Sequence, residues 1–336
     1  MKRNTDLDFI RAILIVLMIL IHIVSFGNAY PQLKAGILSF MMPTFLIITG
    51  YLVNIEKTGR QMGNYLKCLA LPYLIMVTGL SVLSYYIPVR DGITELSLSQ
   101  IGEKIFVTSI GPYWFIQTMI ICGTLYYFCF SGRNWNDLRR NYTKRDTYAS
   151  LFVFAVTLLL ISETPALSAS AAAYYFIGVV IRQSKTEWNK LFRHEFFAII
   201  LWIYLLNHDD WYDWGSLAIV FSCWCCISTL LLLQHLLDAP ERFKDISPKI
   251  GKVAKVTNRI KDTLLYIGRN TLPIYLFHPI FTMAAKFYHP LFSWDPSEIS
   301  FALFTMILAI LGSIAIARIM EKTKLAYLFG KGKILR

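Results

Sequence analysis

The chain has 336 residues, 56% of them hydrophobic and only 16% charged, with mean hydropathy +0.50 and formal net charge +12. Apolar runs of about 18 residues or more fit bilayer-spanning helices and exclude an ordinary soluble enzyme. A basic balance of this size would suggest nucleic acid in a soluble protein, so the loops that carry it have to decide its meaning.

In chain order, acidic Asp6 and Asp8 precede an apolar run too long for a signal-peptide core, which predicts an uncleaved first helix over residues 9–27. Asp8, Arg11 and His22 interrupt it. Eleven steps of 100° leave Arg11 and His22 about 20° apart on one face and about 16 Å apart along the axis, with Asp8 within about 60° of Arg11. Ionisable groups in a membrane helix face the bundle interior or a watered cavity, so this stripe points at protein. Two plainer readings stay open: His22 as a neutral interhelical hydrogen-bonding group, and Arg11 snorkelling to the cytoplasmic interface. Asp8 is too far along the helix to orient His22, about 21 Å, so any partner of the imidazole comes from another helix.

Further spans are expected over 34–54, 66–87, 112–131, 149–162, 168–183, 195–207, 215–236, 271–288 and 299–318, making about ten in all. With the N-terminus inside, 27 of the 33 Lys and Arg fall in alternate loops and tails on the cytoplasmic side, against Lys34, Arg90, Lys104 and Lys286 outside. That asymmetry predicts both termini cytoplasmic and accounts for the charge without nucleic acid. The basic loop from Ala239 to Lys261, with its continuation to Ile267, alternates apolar and charged residues as an interfacial amphipathic helix does, and Asn270 or Thr271 with Pro273 reads as the cap and first turn of the ninth span. The six cysteines lack zinc or haem spacing and read as small apolar residues, with no bound metal or cofactor expected. No internal repeat is found, and the chain reads as one transmembrane domain over residues 1–336 without a separate soluble domain. The class is all-α, a polytopic membrane helix bundle.

Span direction then sorts polar groups by depth. Arg11, Lys67 and Arg269 fall at the cytoplasmic edge. His22 and Gln117 each lie five residues inside the outer end of their spans, which makes Gln117 the first candidate partner of His22 and Glu163 the second. His278 falls near mid-span before Pro279, whose ring opens the backbone ladder and leaves either a ligand space or a simple packing kink. The outer loop His208, Asp209, Asp210, Trp211, Asp213 and Trp214 is either a sugar platform or an interfacial aromatic belt with solvated acids.

Together these residues resemble the integral-membrane acyltransferase family 3. Asp8, Arg11 and His22 match its first-span pattern, and Pro43 to Leu52 resemble its second-span stretch. Leu71, Pro72 and Tyr73, then Tyr113, Trp114, Phe115 and Ile116, then Tyr174 to Gly178, and finally Gly268 to Pro279 follow in the family's order. Two features depart from it: Lys67 stands where members often carry an arginine pair, and the carboxylate many members have after the fourth-span Trp is missing, with Gln117 nearby.

The resemblance implies a membrane O-acyltransferase, O-acetylation being the commonest case, in a bacterial inner membrane as part of cell-envelope chemistry. It implies acetyl-CoA or another acyl-CoA as cytoplasmic donor substrate, and a hydroxyl of a surface polysaccharide or lipid-linked glycan as acceptor. On that basis Arg11, Lys67 and Arg269 are expected to hold the donor phosphates, Asp8 to orient Arg11, and His22 to act as general base or transient acyl carrier. Gln117, His278 and Trp114 are the candidates for oxyanion or acceptor contact. The alternative from another class is a transporter or flippase for a glycan or lipid-linked sugar, which also uses about ten helices with polar groups at mid-depth.

Overall fold

The computed structural model describes residues 4–87, 89, 91–130, 144–207 and 213–336, and among them every regular element is a helix. Six helices are long and apolar enough to cross a membrane: Pro31–Leu52, Gly59–Tyr86, Gly111–Phe130, Arg145–Ser162, Leu217–Arg242 and Ile299–Lys322. The other expected spans fall on helices that are shorter or more polar. α1 (Thr5–Ile21) has 17 residues, α8 (Ala169–Gln183) 15 and α10 (Glu195–Leu205) 11, while α13 (Thr271–Tyr288) is diluted by His278, Pro279 and Lys286. Apolar side chains such as Phe152, Leu159 and Leu160 on α7 (Lys144–Ser162) and Phe196 and Phe197 on α10 are left exposed by the protein itself, which suits a lipid surround. Of the basic residues counted in the sequence, Lys2, Arg3, Arg90, Arg133, Arg139 and Arg140 lie outside the described residues, as do His208 to Trp211.

The contacts group the chain into two units. One holds the residues up to Phe45, Thr186–Ile319 and Leu335–Arg336, and the other holds Leu46–Lys185 and Met320–Ile334.

In the second unit α6 (Trp114–Phe130), α7 and α8 share a core of Cys122, Tyr126, Phe130, Phe154, Leu158, Tyr175 and Val179. Here α3 (Pro31–Leu52) meets α8 through glycines on both sides. A Cβ at Gly50 would overlap the carbonyl of Tyr175, and one at Gly178 would overlap the carbonyl of Ile47, so the two backbones approach as only small residues permit. Gly178→Ala is therefore expected to lower the melting temperature of the purified protein by several degrees, read by thermal shift in detergent.

In the first unit, α1 packs on α11 (Leu217–Arg242), α12 (Pro248–Arg269) and α13. Ser247 caps α12 by accepting from the Lys249 N–H, and Pro248 supplies a first residue with no amide hydrogen to lose. The basic stretch expected to be amphipathic is indeed helical. It buries Ala254, Leu265, Ile267 and Gly268, and leaves Val253, Val256 and Ile260 exposed as a stripe. Its charged flank is tied to α11 by Lys261 with Asp238 and by Asn258 with Glu241.

Three local expectations change. The first helix does not run to residue 27 but ends at Ile21, and a separate short helix, α2 (Val24–Ala29), follows. Ile23 takes an extended backbone there, and its side chain joins Phe26, Ala285, Phe301 and Ala302 in a small core. Second, α12 runs one residue past Gly268, whose purpose is close approach rather than termination: a Cβ there would overlap the Asp8 carbonyl oxygen. Third, Asn270 precedes α13 without capping it, because its side chain is spent elsewhere, on the Tyr266 carbonyl and on Arg336.

Candidate active site

The site is built on α1 and α13, and its first part lies where both begin. Asn4 caps α1 by accepting from the N–H groups of Asp6 and Leu7, which fixes the first turn carrying Asp6 and Asp8. Asp8 is only 4% exposed, and one oxygen lies 3.9 Å from Arg11 Nη1, three residues on along the same helix. Arg11 does not snorkel freely: its Nη2 donates to Thr271 Oγ1 at the first residue of α13. Arg269, two residues earlier, carries a buried Nε with no hydrogen-bond partner among the described residues. A buried guanidinium nitrogen without an acceptor costs free energy comparable to a lost hydrogen bond, and an anion brought to that point would recover it.

The second part lies eleven residues further along α1 and seven further along α13, where the rings of His22 and His278 meet edge to face at 5.2 Å between centroids. The four-residue difference amounts to about 6 Å of helix rise, which the long side chain of Arg11 takes up when it reaches Thr271. One helix pair thus carries a guanidinium at one end and two imidazoles toward the other.

The break after Ile21 sets His22. Its backbone N–H bonds to the Ile19 carbonyl rather than to Met18, and its ring Nδ1 lies 2.6 Å from the Met18 carbonyl oxygen left over. A carbonyl only accepts, so Nδ1 carries the hydrogen and Nε2 presents a lone pair. His278 repeats the arrangement, with Nδ1 2.8 Å from the Tyr275 carbonyl. Its ring is fully buried, and its Nε2 has no hydrogen-bond partner among the described residues. Each ring is held in the tautomer that a proton acceptor requires, by a carbonyl of its own helix.

The remaining candidates lie in the other unit. Gln117 is buried, and its Nε2 donates to the carbonyls of Phe106 and Val107, each at 3.3 Å. Trp114 is half-buried, edge-on to Phe115, and Lys67 and Glu163 are exposed. Within its own unit the ring that meets His22 is His278, which depth along the spans had not paired with it. Trp214, from the acidic and aromatic loop before α11, donates its indole N–H to the Leu38 carbonyl. Among the described residues no three His, Cys, Asp or Glu gather into a metal-binding group.

A family model described as an acyltransferase domain matches residues 4–318, nearly the whole chain and both helices of this pair. The chain belongs to acyltransferase family 3. It is an enzyme that transfers acyl groups other than aminoacyl groups, and its apolar helices make it a multi-pass membrane acyltransferase. Comparison with curated proteins and with solved structures finds no match.

Two features of this acyltransferase were not legible beforehand. Thr271 gave no sign of being the anchor of Arg11, since a threonine opening a helix is commonplace. The pairing of the histidines had a faint signal only in retrospect: Arg11 to His22 and Thr271 to His278 are both near-integral numbers of turns, three and two, so each pair lies along one face.

Proposed function

We propose that this acyltransferase moves an acyl group, acetyl being the first to test, from cytoplasmic acyl-CoA to a hydroxyl of a surface polysaccharide or lipid-linked glycan in a bacterial inner membrane. Ten spans with both termini inside would put the Arg11 end at the cytoplasmic face and the imidazole pair deeper, and the lopsided distribution of Lys and Arg supports that orientation.

The observation that carries the reading is the α1 and α13 pair, with an anchored guanidinium at one end and two imidazoles presenting ring lone pairs toward the other. In the reaction, Arg11 and Arg269 receive the donor's phosphate oxygens. Asp8 keeps Arg11 in place. His22 Nε2 takes the proton as the acceptor oxygen attacks the thioester carbon. The C–S bond then breaks, and the thiolate leaves as the thiol with that proton. His278 Nε2 accepts while neutral, so it can take a hydrogen bond from a neighbouring hydroxyl of the acceptor, and it stabilises an oxyanion only when protonated. Gln117 and Trp114 remain candidates for acceptor contact.

The test is mass spectrometry of surface glycans from cells with the intact gene, with a deletion, and with the deletion complemented. A lost acyl mass that complementation restores supports the reading. Glycan of unchanged composition that is missing from the surface of the deletion would replace it with transport.

Arg11→Ala is expected to raise the KM for the acyl donor by roughly tenfold or more, the size of one charge-assisted contact, with a smaller change in kcat. Initial rates against donor concentration read this directly. An unchanged KM would leave Arg11 as a structural tie to Thr271.

A further inference from the structure

The chain re-enters the first unit after Ile334, as Leu335–Arg336, and those two residues lie beyond the stretch that matches the family. They are fastened at one point. The Arg336 backbone N–H donates to Asn270 Oδ1 at 2.8 Å, and Asn270 Nδ2 lies 3.4 Å from the Arg336 carbonyl, a two-sided clasp by a side chain that is itself completely buried. Leu335 is buried beside it. The same Asn270 nitrogen also donates to the Tyr266 carbonyl at 2.8 Å, so the clasp is held on the last turn of α12.

Its position gives the clasp a consequence. Asn270 stands between Arg269, whose buried Nε lacks an acceptor, and Thr271, which holds Arg11. The backbone of Arg336 is thereby fixed to the residue joining those two cation anchors. The Arg336 side chain is exposed and, among the described residues, has no carboxylate or hydrogen-bond partner. Clamping its backbone removes the backbone part of the entropy that binding would otherwise cost, leaving only the side-chain rotamers to be ordered. The two acids in the first turn of α1 are occupied: Asp8 lies beside Arg11, and Asp6 accepts from Gln234. The backbone of Arg336 is thus held one residue from Arg269 and one from Thr271, the anchor of Arg11, and a flexible cation tethered beside two others suits a polyanion.

We infer that Arg336 is a donor-binding residue, a third guanidinium that pairs with a phosphate group of the acyl donor, and that Asn270 is the residue positioning it. This rests on the reading that the donor enters at the Arg11 end. It extends that site to a residue outside the family's matched region.

The experiment uses the full chain in detergent and measures acetyl-CoA binding together with steady-state kinetics. Arg336→Gln is expected to raise the Kd and KM for acetyl-CoA about three- to fivefold, the scale of one partly solvated charge contact, with kcat and melting temperature unchanged. Arg336→Glu is expected to go further, and Arg336→Lys to recover part of the loss. Raising salt should weaken binding more steeply in the wild type than in Arg336→Gln. Leu335→Ala, which loosens the segment without touching a charge, is the control for a merely structural role.

Wild-type binding with an unchanged Kd in Arg336→Gln and Arg336→Glu overturns the assignment while leaving the donor reading intact. A fall in kcat and melting temperature shared equally with Leu335→Ala, at constant Kd, overturns it in favour of packing. Failure of the wild type itself to bind acetyl-CoA overturns both.

Discussion

His22→Gln is expected to lose acyl transfer by a factor of about 10²–10⁴, the usual contribution of a general base, while the protein still accumulates in the membrane at its normal level. Glutamine is the informative replacement. The His22 ring donates from Nδ1 to the Met18 carbonyl, which the break in the helix leaves without its ordinary backbone partner. An alanine removes both the base and that hydrogen bond, and an unsatisfied carbonyl costs about 1–3 kcal/mol, so lost activity in His22→Ala mixes chemistry with stability. The glutamine amide can still donate to Met18 but offers no basic nitrogen. Retained transfer in His22→Gln would end the base assignment. Loss in both variants, with a normal melting temperature in the glutamine form alone, would separate the two roles of the ring. His278→Gln should be milder in rate than His22→Gln if the second ring assists rather than takes the first proton. Its Nδ1 bond to Tyr275 can be replaced in the same way.

The second large effect is structural and falls on Gly268. A Cβ there would overlap the carbonyl oxygen of Asp8, with the carbonyl carbon at 2.6 Å and the Cα at 3.2 Å. All three are backbone atoms of α1, so no side chain can turn aside. Gly268→Ala must push α12 away from α1 at the residue that pairs with Arg11. It is expected to cost about 1–3 kcal/mol or more, and to raise the donor KM as Arg11 shifts from Thr271. Gly312→Ala is the comparison. Its Cβ would overlap the ring of Phe281, the far end of a side chain that can rotate, so its loss of stability should be clearly smaller. Thermal unfolding of both variants in detergent, with donor kinetics on whichever stays folded, checks the contrast. Equal stability of Gly268→Ala and wild type would show that the approach of α12 to α1 is not rigid.

What was legible beforehand was whatever depends on neighbours along the chain. Hydropathy over about 18 residues announced membrane helices, and the 3.6-residue period set Arg11 and His22 on one face because rotation accumulates predictably over eleven residues. The spaced residues Asp8, Arg11 and His22, followed by the later elements in order, were enough to name the family that the profile match then established. Helix breaks were less legible. The end of α1 at Ile21 depends on a competition between a backbone N–H and a side chain for one carbonyl, settled by small local energies that no composition rule resolves.

The contacts that make the site could not be read from the chain at all. Arg11 and Thr271 are 260 residues apart, His22 meets His278 of α13, and Asn270 reaches forward to Arg336 instead of capping its own helix. Depth along a span says how far a group lies from the membrane surface, but not which helix stands beside it. That choice belongs to packing, here to the absence of a side chain at Gly268, which lets α12 close on Asp8 and bring α13 with its histidine alongside α1.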